Sequence, residues 1–258
     1  MRQAIITAFN FTFCVNLRNR LFLAALAMAL LTGLGFGLSY LTPRPAFISY
    51  RADLHHTALR LYWLDERNRP FRSLAGLRTW LAAHRQNLVF AMNAGMFNPN
   101  FAPRGLFLAA GKTITPLDTT DGAGNFYLKP NGVFYLATDT TAHICPTALF
   151  RNEGRVAYAT QSGPLLVIDG RIHPAFRPGS ANRQIRNGVG ILPDGQVLLA
   201  MSRDKINLYD FASYFAQAGC QRALYLDGFV SRTYAPAVGW NQLDGDFGVI
   251  IGVSEPRR

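Results

Sequence analysis

Three short stretches carry the side chains best suited to chemistry, and each lies where an apolar run gives way to polar residues. The first is NAGMFNPN, Asn93 to Asn100. The second is SANRQIRNGVG, Ser180 to Gly190, in which Arg183 and Arg186 precede a glycine-flanked run; the third is ALYLDGFVSRTY, Ala223 to Tyr234, with Asp227, Gly228, Ser231 and Arg232. Loops at the ends of rigid strands are where binding and catalytic groups gather. An amide holds sugar hydroxyls, a carboxylate acts as base or nucleophile, and a guanidinium matches phosphate oxygens with its planar fork. Asn93, Asp227 and Arg186 are therefore a set suited to glycosyl transfer away from a phosphate. Each also has a plainer reading, as a turn former, a strand-end turn with Gly228 and a solvated charge respectively. Only their meeting in space distinguishes the two.

The elements that must position them are mostly strands. HHTALRLYWLDE alternates apolar and polar residues, and NLVFAMNAGMF begins as a buried strand that breaks at Asn93-Ala94-Gly95. Asn131-Gly132, Asp169-Gly170 and Pro193-Asp194-Gly195 each stand between strand-like runs, which predicts three hairpins. The run Ala223–Leu226 delivers Asp227, and FGVIIGV supplies a last buried strand. Helical spacing appears in SLAGLRTWLAAHRQ, with Ser73 as N-cap, and in YDFASYFAQAG, ending at Gly219. Two or three helices among ten or so strands, without regular alternation, predict an α+β fold: a hairpin-rich mixed β-sheet core.

The N-terminus is of another kind. Residues 21 to 41, LFLAALAMALLTGLGFGLSYL, are uncharged and flanked by Arg18, Arg20 and Arg44, long enough to span a bilayer core of about 30 Å. The organisation expected is a cytoplasmic segment 1–20, a transmembrane anchor 21–42, a linker 43–50 and one domain 51–258. A cleaved signal is the competing reading, but the run is long and no A-x-A site follows it. Arginines ahead of the run keep the N-terminus inside, so the domain is expected to be exported: anchored in the inner membrane and facing the periplasm or the outside. Cys14 has no lipobox context. Residues 1–42 hold three arginines and no acids, leaving the rest with 23 basic and 15 acidic residues. An exported basic domain without a recognition helix points to anionic envelope glycans, phosphodiesters or lipid headgroups rather than nucleic acid. Cys145 and Cys220 are free to pair in an oxidising compartment or to stay as two buried thiols.

Five motifs, FAMNAGMF, GNFYLKPNGVFYL, QSGPLLVIDG, RNGVGI and LYLDGFVS, resemble in order and separation the phosphodiester glycosidase domain, the family that includes the uncovering enzyme of lysosomal targeting. The resemblance spans roughly Ala46 to Val253. It implies a pocket lined by Asn93 and Gly95, by Arg186, and by Asp227, Gly228 and Ser231, and removal of a sugar from a sugar-phosphodiester. The family's fullest acid motif has a run of glycines between the Asp and the Ser, whereas this chain has Gly228-Phe229-Val230. Glycines let backbone approach a ligand closely. Phe and Val in their place predict a reshaped pocket and another substrate.

The expected mechanism is hydrolysis at a phosphate-linked anomeric carbon, with Arg186 on the departing phosphate, Asn93 and Ser231 on sugar or phosphate oxygens, and Asp227 as base or nucleophile. Phosphate leaves without a strong proton donor, so one carboxylate suffices; a second, if used, is Asp246 and then Asp244, both of which also read as hairpin-turn residues. Arg183 and Gly228 complete the expected binding set. No G-x-S-x-G elbow and no H-E-x-x-H spacing occurs, which argues against a serine hydrolase and a histidine-built zinc site. No cofactor is expected, with a calcium or magnesium ion on backbone and Asp oxygens left open. The partners expected are a phosphorylated sugar or glycan and, through the N-terminal helix, a membrane. The rival class is a non-catalytic envelope protein that binds such a glycan in the same pocket, and a purely structural component is the third.

Overall fold

The computed structural model describes residues 46–257. The expected anchor and cytoplasmic segment lie outside them, and among the described residues no helix is long and apolar enough to cross a membrane. In chain order the first strands are β1 (Phe47–Ala52), β2 (Ala58–Tyr62), β3 (Gln86–Asn93), β4 (Phe107–Ala109), β5 (Lys112–Thr115), β6 (Gly132–Ala137), β7 (Ala142–Pro146) and β8 (Val156–Ser162). There follow β9 (Leu165–Ile168), β10 (Arg171–Ile172), β11 (Asn187–Ile191), β12 (Val197–Ser202), β13 (Arg222–Asp227), β14 (Thr233–Ala235), β15 (Trp240–Asn241) and β16 (Ile250–Pro256). Helix α1 (Leu74–Ala83) lies between β2 and β3, and α2 (Leu208–Gln217) between β12 and β13. This is an α+β arrangement.

The strands form three sheets, ordered β1-β12-β11-β13-β9-β10, β15-β14-β3-β16-β2 and β5-β4-β8-β6-β7, and the pairings within them are antiparallel. Side-chain alternation decides what each face meets. Leu224 and Leu226 of β13 join Phe90 and Met92 of β3, Phe134 of β6 and Ile251 of β16 in the main core. Ala223 and Tyr225 point to the opposite face of β13, where Phe211 and Phe215 of α2 cover them. Leu74, Leu77 and Leu81 of α1 seal the second sheet against Ile250. Asn93 and Asp227 are the last residues of β3 and β13, and Arg186 immediately precedes β11.

Local chemistry at the turns largely decides the connections. Asp169 and Gly170 both have positive φ, 46° and 76°, and join β9 to β10; Gly195, at 83°, turns β11 into β12. Ser73 caps α1 by accepting from Gly76 N at 3.1 Å, and Asn207 caps α2 by accepting from Asp210 N at 2.9 Å. Asn131-Gly132 is different: it makes no hairpin. Phe126 is buried within a helical turn, Asn125–Tyr127, and the Asn131 side chain donates back to Phe126 O at 3.0 Å, tying the approach to β6 instead of reversing it. The reversal comes after β6, where Asp139 Oδ1 accepts from Thr141 N and Thr140 has φ 64°. The stretch 43–50 read as linker is a strand from Phe47, because Ile48 and Ala52 are drawn into the core opposite β12. Cys145 and Cys220 are both free thiols. They pack in separate clusters, Cys220 under α2 and Cys145 beside Val133 and Phe150.

Candidate active site

The three motif loops converge at one end of the first two sheets. Asn93 Nδ2 donates to Asp227 Oδ2 at 2.8 Å, although 134 residues separate them. The amide cannot turn over, since its Oδ1 accepts from Asn187 Nδ2 and from Arg232 N, both at 2.9 Å. Asn187, the residue after Arg186, also donates to Asn93 O at 2.6 Å and so ties β3 to β11. Asp227 Oδ1 accepts from Gly228 N at 2.6 Å and Phe229 N at 2.9 Å. The carboxyl is thus fixed by backbone and amide donors that stabilise its ionised form. Burial opposes them and prevails: Asp227 is 5% exposed, and its pKa is raised above the ordinary carboxylate value.

Arg186 is 0% exposed and stands behind this group. Its guanidinium donates to Ile206 O (2.8 Å), to Asn182 O and Oδ1 (2.9 and 3.0 Å) and to the Tyr225 hydroxyl (2.9 Å). It is met by protein acceptors, and what it presents toward the cleft is Tyr225. Tyr225 and Asp227 lie two apart on β13, across an irregularity in its pairing with β11, and both line the same cleft. Arg186 donates to the phenolic oxygen, the Asn125 side chain meets the same hydroxyl, and burial holds that phenol well above its usual pKa, in its protonated form.

Tyr225, Asp227 and Gly228 line an open cleft of about 800 Å³. Asn125, Asn182, Gln184 and Arg104 supply its other polar wall; Met96, Phe97, Phe101, Phe229 and Val230 supply an apolar one. Arg104 Nε reaches Asn98 Oδ1 at 3.4 Å, and among the described residues it forms no ion pair. Asp246 lies on the rim, where hydrogen bonds from Arg72 at 2.7 and 2.9 Å hold its carboxyl below the usual range. Arg72 in turn sits over the Phe101 ring, 4.1 Å from its centroid.

The other expected site residues have distinct places. Gly228 is required by space, since a Cβ there would overlap the Tyr225 hydroxyl and come within 3.3 Å of Arg186 Nη1. Gly95 is a packing residue: a Cβ would approach Thr160 Oγ1 of β8 to 2.9 Å, and the residue does not line the cleft. Ser231 is buried and closes its own turn by donating to Asp227 O at 3.2 Å. Arg183 is exposed, donates to Lys205 O at 3.1 Å and is not part of the cleft wall. Asp244 pairs with Arg232 at 2.8 Å, also outside that wall. Sequence reasoning missed Tyr225, Asn187 and Arg104. Strand alternation from Asp227 points to Tyr225, and adjacency to Arg186 points to Asn187, whereas Arg104 lies in a loop with no local signal. Among the described residues no three His, Cys, Asp or Glu side chains come together as a metal cage.

Known proteins share this arrangement of elements. The catalytic domain of zebrafish N-acetylglucosamine-1-phosphodiester alpha-N-acetylglucosaminidase, auto-inhibited by its pro-peptide, superposes with a TM-score of 0.52 at 12% identity, over 81% of this chain and 88% of that one. A Burkholderia pseudomallei K96243 protein superposes at 0.56 and 10% identity, over 80% of this chain and 73% of its own. In sequence, the uncharacterized protein YigE of Escherichia coli (strain K12) is 32% identical over 231 residues, 88% of this chain and 90% of that one. The phosphodiester glycosidase family pattern matches residues 86–252, which run from β3 through Asn93, Arg186 and Asp227 into β16. With a sequence match that spans all three converging loops, this chain belongs to the phosphodiester glycosidase family.

Proposed function

We propose that the protein hydrolyses sugar 1-phosphodiesters in the cell envelope, releasing the sugar and a phosphate monoester. The observation that carries this reading is the fixed Asp227 carboxyl, held by Asn93 and two backbone N–H groups on the wall of a cleft that also presents Arg104, which forms no ion pair among the described residues. Of the four acceptor positions on a carboxylate, Oδ2 retains one beyond its bond to Asn93, available to a water or an anomeric carbon. Asp227 takes the proton of the attacking water, or attacks C1 itself. The C1–O bond then breaks, and its electron pair leaves with the phosphate oxygen. Arg104 meets the growing phosphate charge, and the Tyr225 hydroxyl, oriented by Arg186, donates to a phosphate oxygen. Arg186 acts in this scheme as a positioning residue. The domain works outside the cytoplasm, tethered by the apolar run Leu21–Leu41.

A second reading has its own support: three donors already occupy Asp227, as in a site built to bind rather than react. In it the protein holds a phosphorylated glycan without cleaving it. One assay separates the two. The purified full-length chain is incubated with α-linked N-acetylglucosamine and glucose 1-phosphodiesters, and release of free sugar is followed beside Asp227→Asn and Arg104→Ala. Turnover lost in Asp227→Asn supports hydrolysis; tight binding without turnover in the wild type supports the binder.

A further inference from the structure

The cleft has an apolar wall that a phosphate does not require. Phe229 is 92% exposed, the most exposed of the large apolar side chains among the described residues, and it belongs to the same turn whose backbone fixes Asp227. Val230 continues that wall, and Phe97 and Phe101 face the cleft from the β3–β4 loop, their rings stacked with centroids 5.8 Å apart. Phe101 is kept in position by Arg72, which Asp246 holds in turn. An exposed aromatic beside a cleft of this kind marks a place where hydrocarbon is received.

The topology adds an independent point. Phe47 pairs with Ser202, whose backbone N–H donates to Arg186 O at 2.8 Å and whose hydroxyl accepts from Arg186 N at 3.0 Å. Ala46 O accepts from Arg203 N, and Ile206, three residues further on, bridges to Gln184 on the cleft wall. The chain therefore enters the first sheet at the end that carries the site. In the sequence four residues, Thr42 to Pro45, stand between Leu41 and Ala46.

We propose that the cleft takes sugar 1-phosphodiesters whose second alcohol is a membrane lipid. Sugar and phosphate lie against Asp227 and Arg104, and the hydrocarbon of the alcohol lies on Phe229, Val230, Phe97 and Phe101. This deepens the hydrolase reading above and rests on it and on the apolar tether. The reaction balances without any co-reactant. Water supplies the oxygen that bonds to C1, its proton passes to Asp227 and then to solvent, and the C1–O electron pair departs with the lipid phosphate. A soluble sugar and a membrane-held phosphate monoester are the products.

The test uses the full-length chain in phosphatidylcholine nanodiscs and three α-N-acetylglucosamine 1-phosphodiesters: methyl and hexyl esters in solution, and a hexadecyl ester placed in the same bilayer. The expected result is kcat/KM about 30-fold higher for hexyl than for methyl, from partial burial of five added methylenes. Phe229→Ser brings that ratio to within about threefold, and the hexadecyl ester is consumed. Equal kcat/KM for the two soluble esters overturns the proposal, as does a Phe229→Ser variant that slows both alike, which would assign the aromatic wall to the sugar. Preference for hexyl with an untouched hexadecyl ester also overturns it, in favour of a soluble apolar alcohol. If no ester is cleaved, the hydrolase reading falls by itself. Calorimetric binding then decides the apolar wall: hexyl at least about tenfold tighter than methyl keeps it, and equal or absent binding removes it.

Discussion

The two walls of the cleft are built on opposite principles. The inner wall presents Asp227 and Tyr225, and behind it Asn93, Asn187 and Arg186, which do not line the cleft, are buried and bonded to them, to one another or to backbone, so that no member can move alone. On the outer wall Phe229 is 92% exposed and faces solvent. A buried polar network tolerates few substitutions because each loss strands a partner without water. An exposed aromatic changes at little cost to folding. The difference teaches that the two walls can be altered separately: under the proposed reaction the inner wall would carry the chemistry, and the outer wall, with Phe229 and Val230, the choice of substrate.

The sharpest way to break that contrast is Asp227→Asn, which keeps size but removes the carboxylate. It is expected to lower kcat by about 10³-fold or more while the protein remains folded, as read from sugar release beside a thermal melt. Retention of more than a tenth of the activity would move the chemistry elsewhere in the cleft. Next comes Arg186→Ala, which leaves Ile206 O, both oxygens of Asn182 and the Tyr225 hydroxyl without their donor. A loss of about 3 kcal/mol in urea unfolding is expected, with activity reduced through displaced Tyr225. Arg186→Lys tests the positioning role, because it keeps charge but not the planar fork; it should restore stability more than kcat.

Gly228→Ala forces a methyl group into the Tyr225 hydroxyl and is expected to cost about 1–3 kcal/mol, with a fall in kcat larger than any change in KM. A pH series refines the same wall. Asp227 has a raised pKa in the folded state, so its contribution to stability is fully present below the unfolded carboxylate pKa and is lost as pH rises through the folded one. The melting temperature of the wild type should therefore fall relative to Asp227→Asn as pH rises through that interval. If the ionised carboxylate is the base, the acid limb of kcat/KM lies at the same elevated pKa. The smallest expected effect is Phe229→Ser on stability, within about 0.5 kcal/mol. A larger loss would show the outer wall to be structural after all.

Much of this was legible along the chain. The cap at Ser73 and the turns at Asp169-Gly170 and Gly195 depend on residues only a few positions apart, so local preference decided them. Asn131-Gly132 shows the limit of such signals, because burial of Phe126 and a side-chain bond across five residues overruled a strong turn pair. Asn93 and Asp227 were identifiable by type and by their place at strand ends. Arg186 was identifiable too, but not its distance from the ligand side, since the tyrosine that screens it was read only as an apolar strand residue. Arg104, from a loop without pattern, left no trace at all.

What the sequence by itself determined is the inventory and its local geometry: an acid, an amide and an arginine at the ends of apolar runs, and a long uncharged segment ahead of the domain. Only the tertiary structure decided which of these meet. Antiparallel pairing of β11 with β13, and the closing of β3 beside them, set Asn93 at 2.8 Å from Asp227 and buried Arg186 behind Tyr225. Contacts across 134 residues depend on how whole sheets pack, a sum of many small burial terms that no short stretch of chain contains.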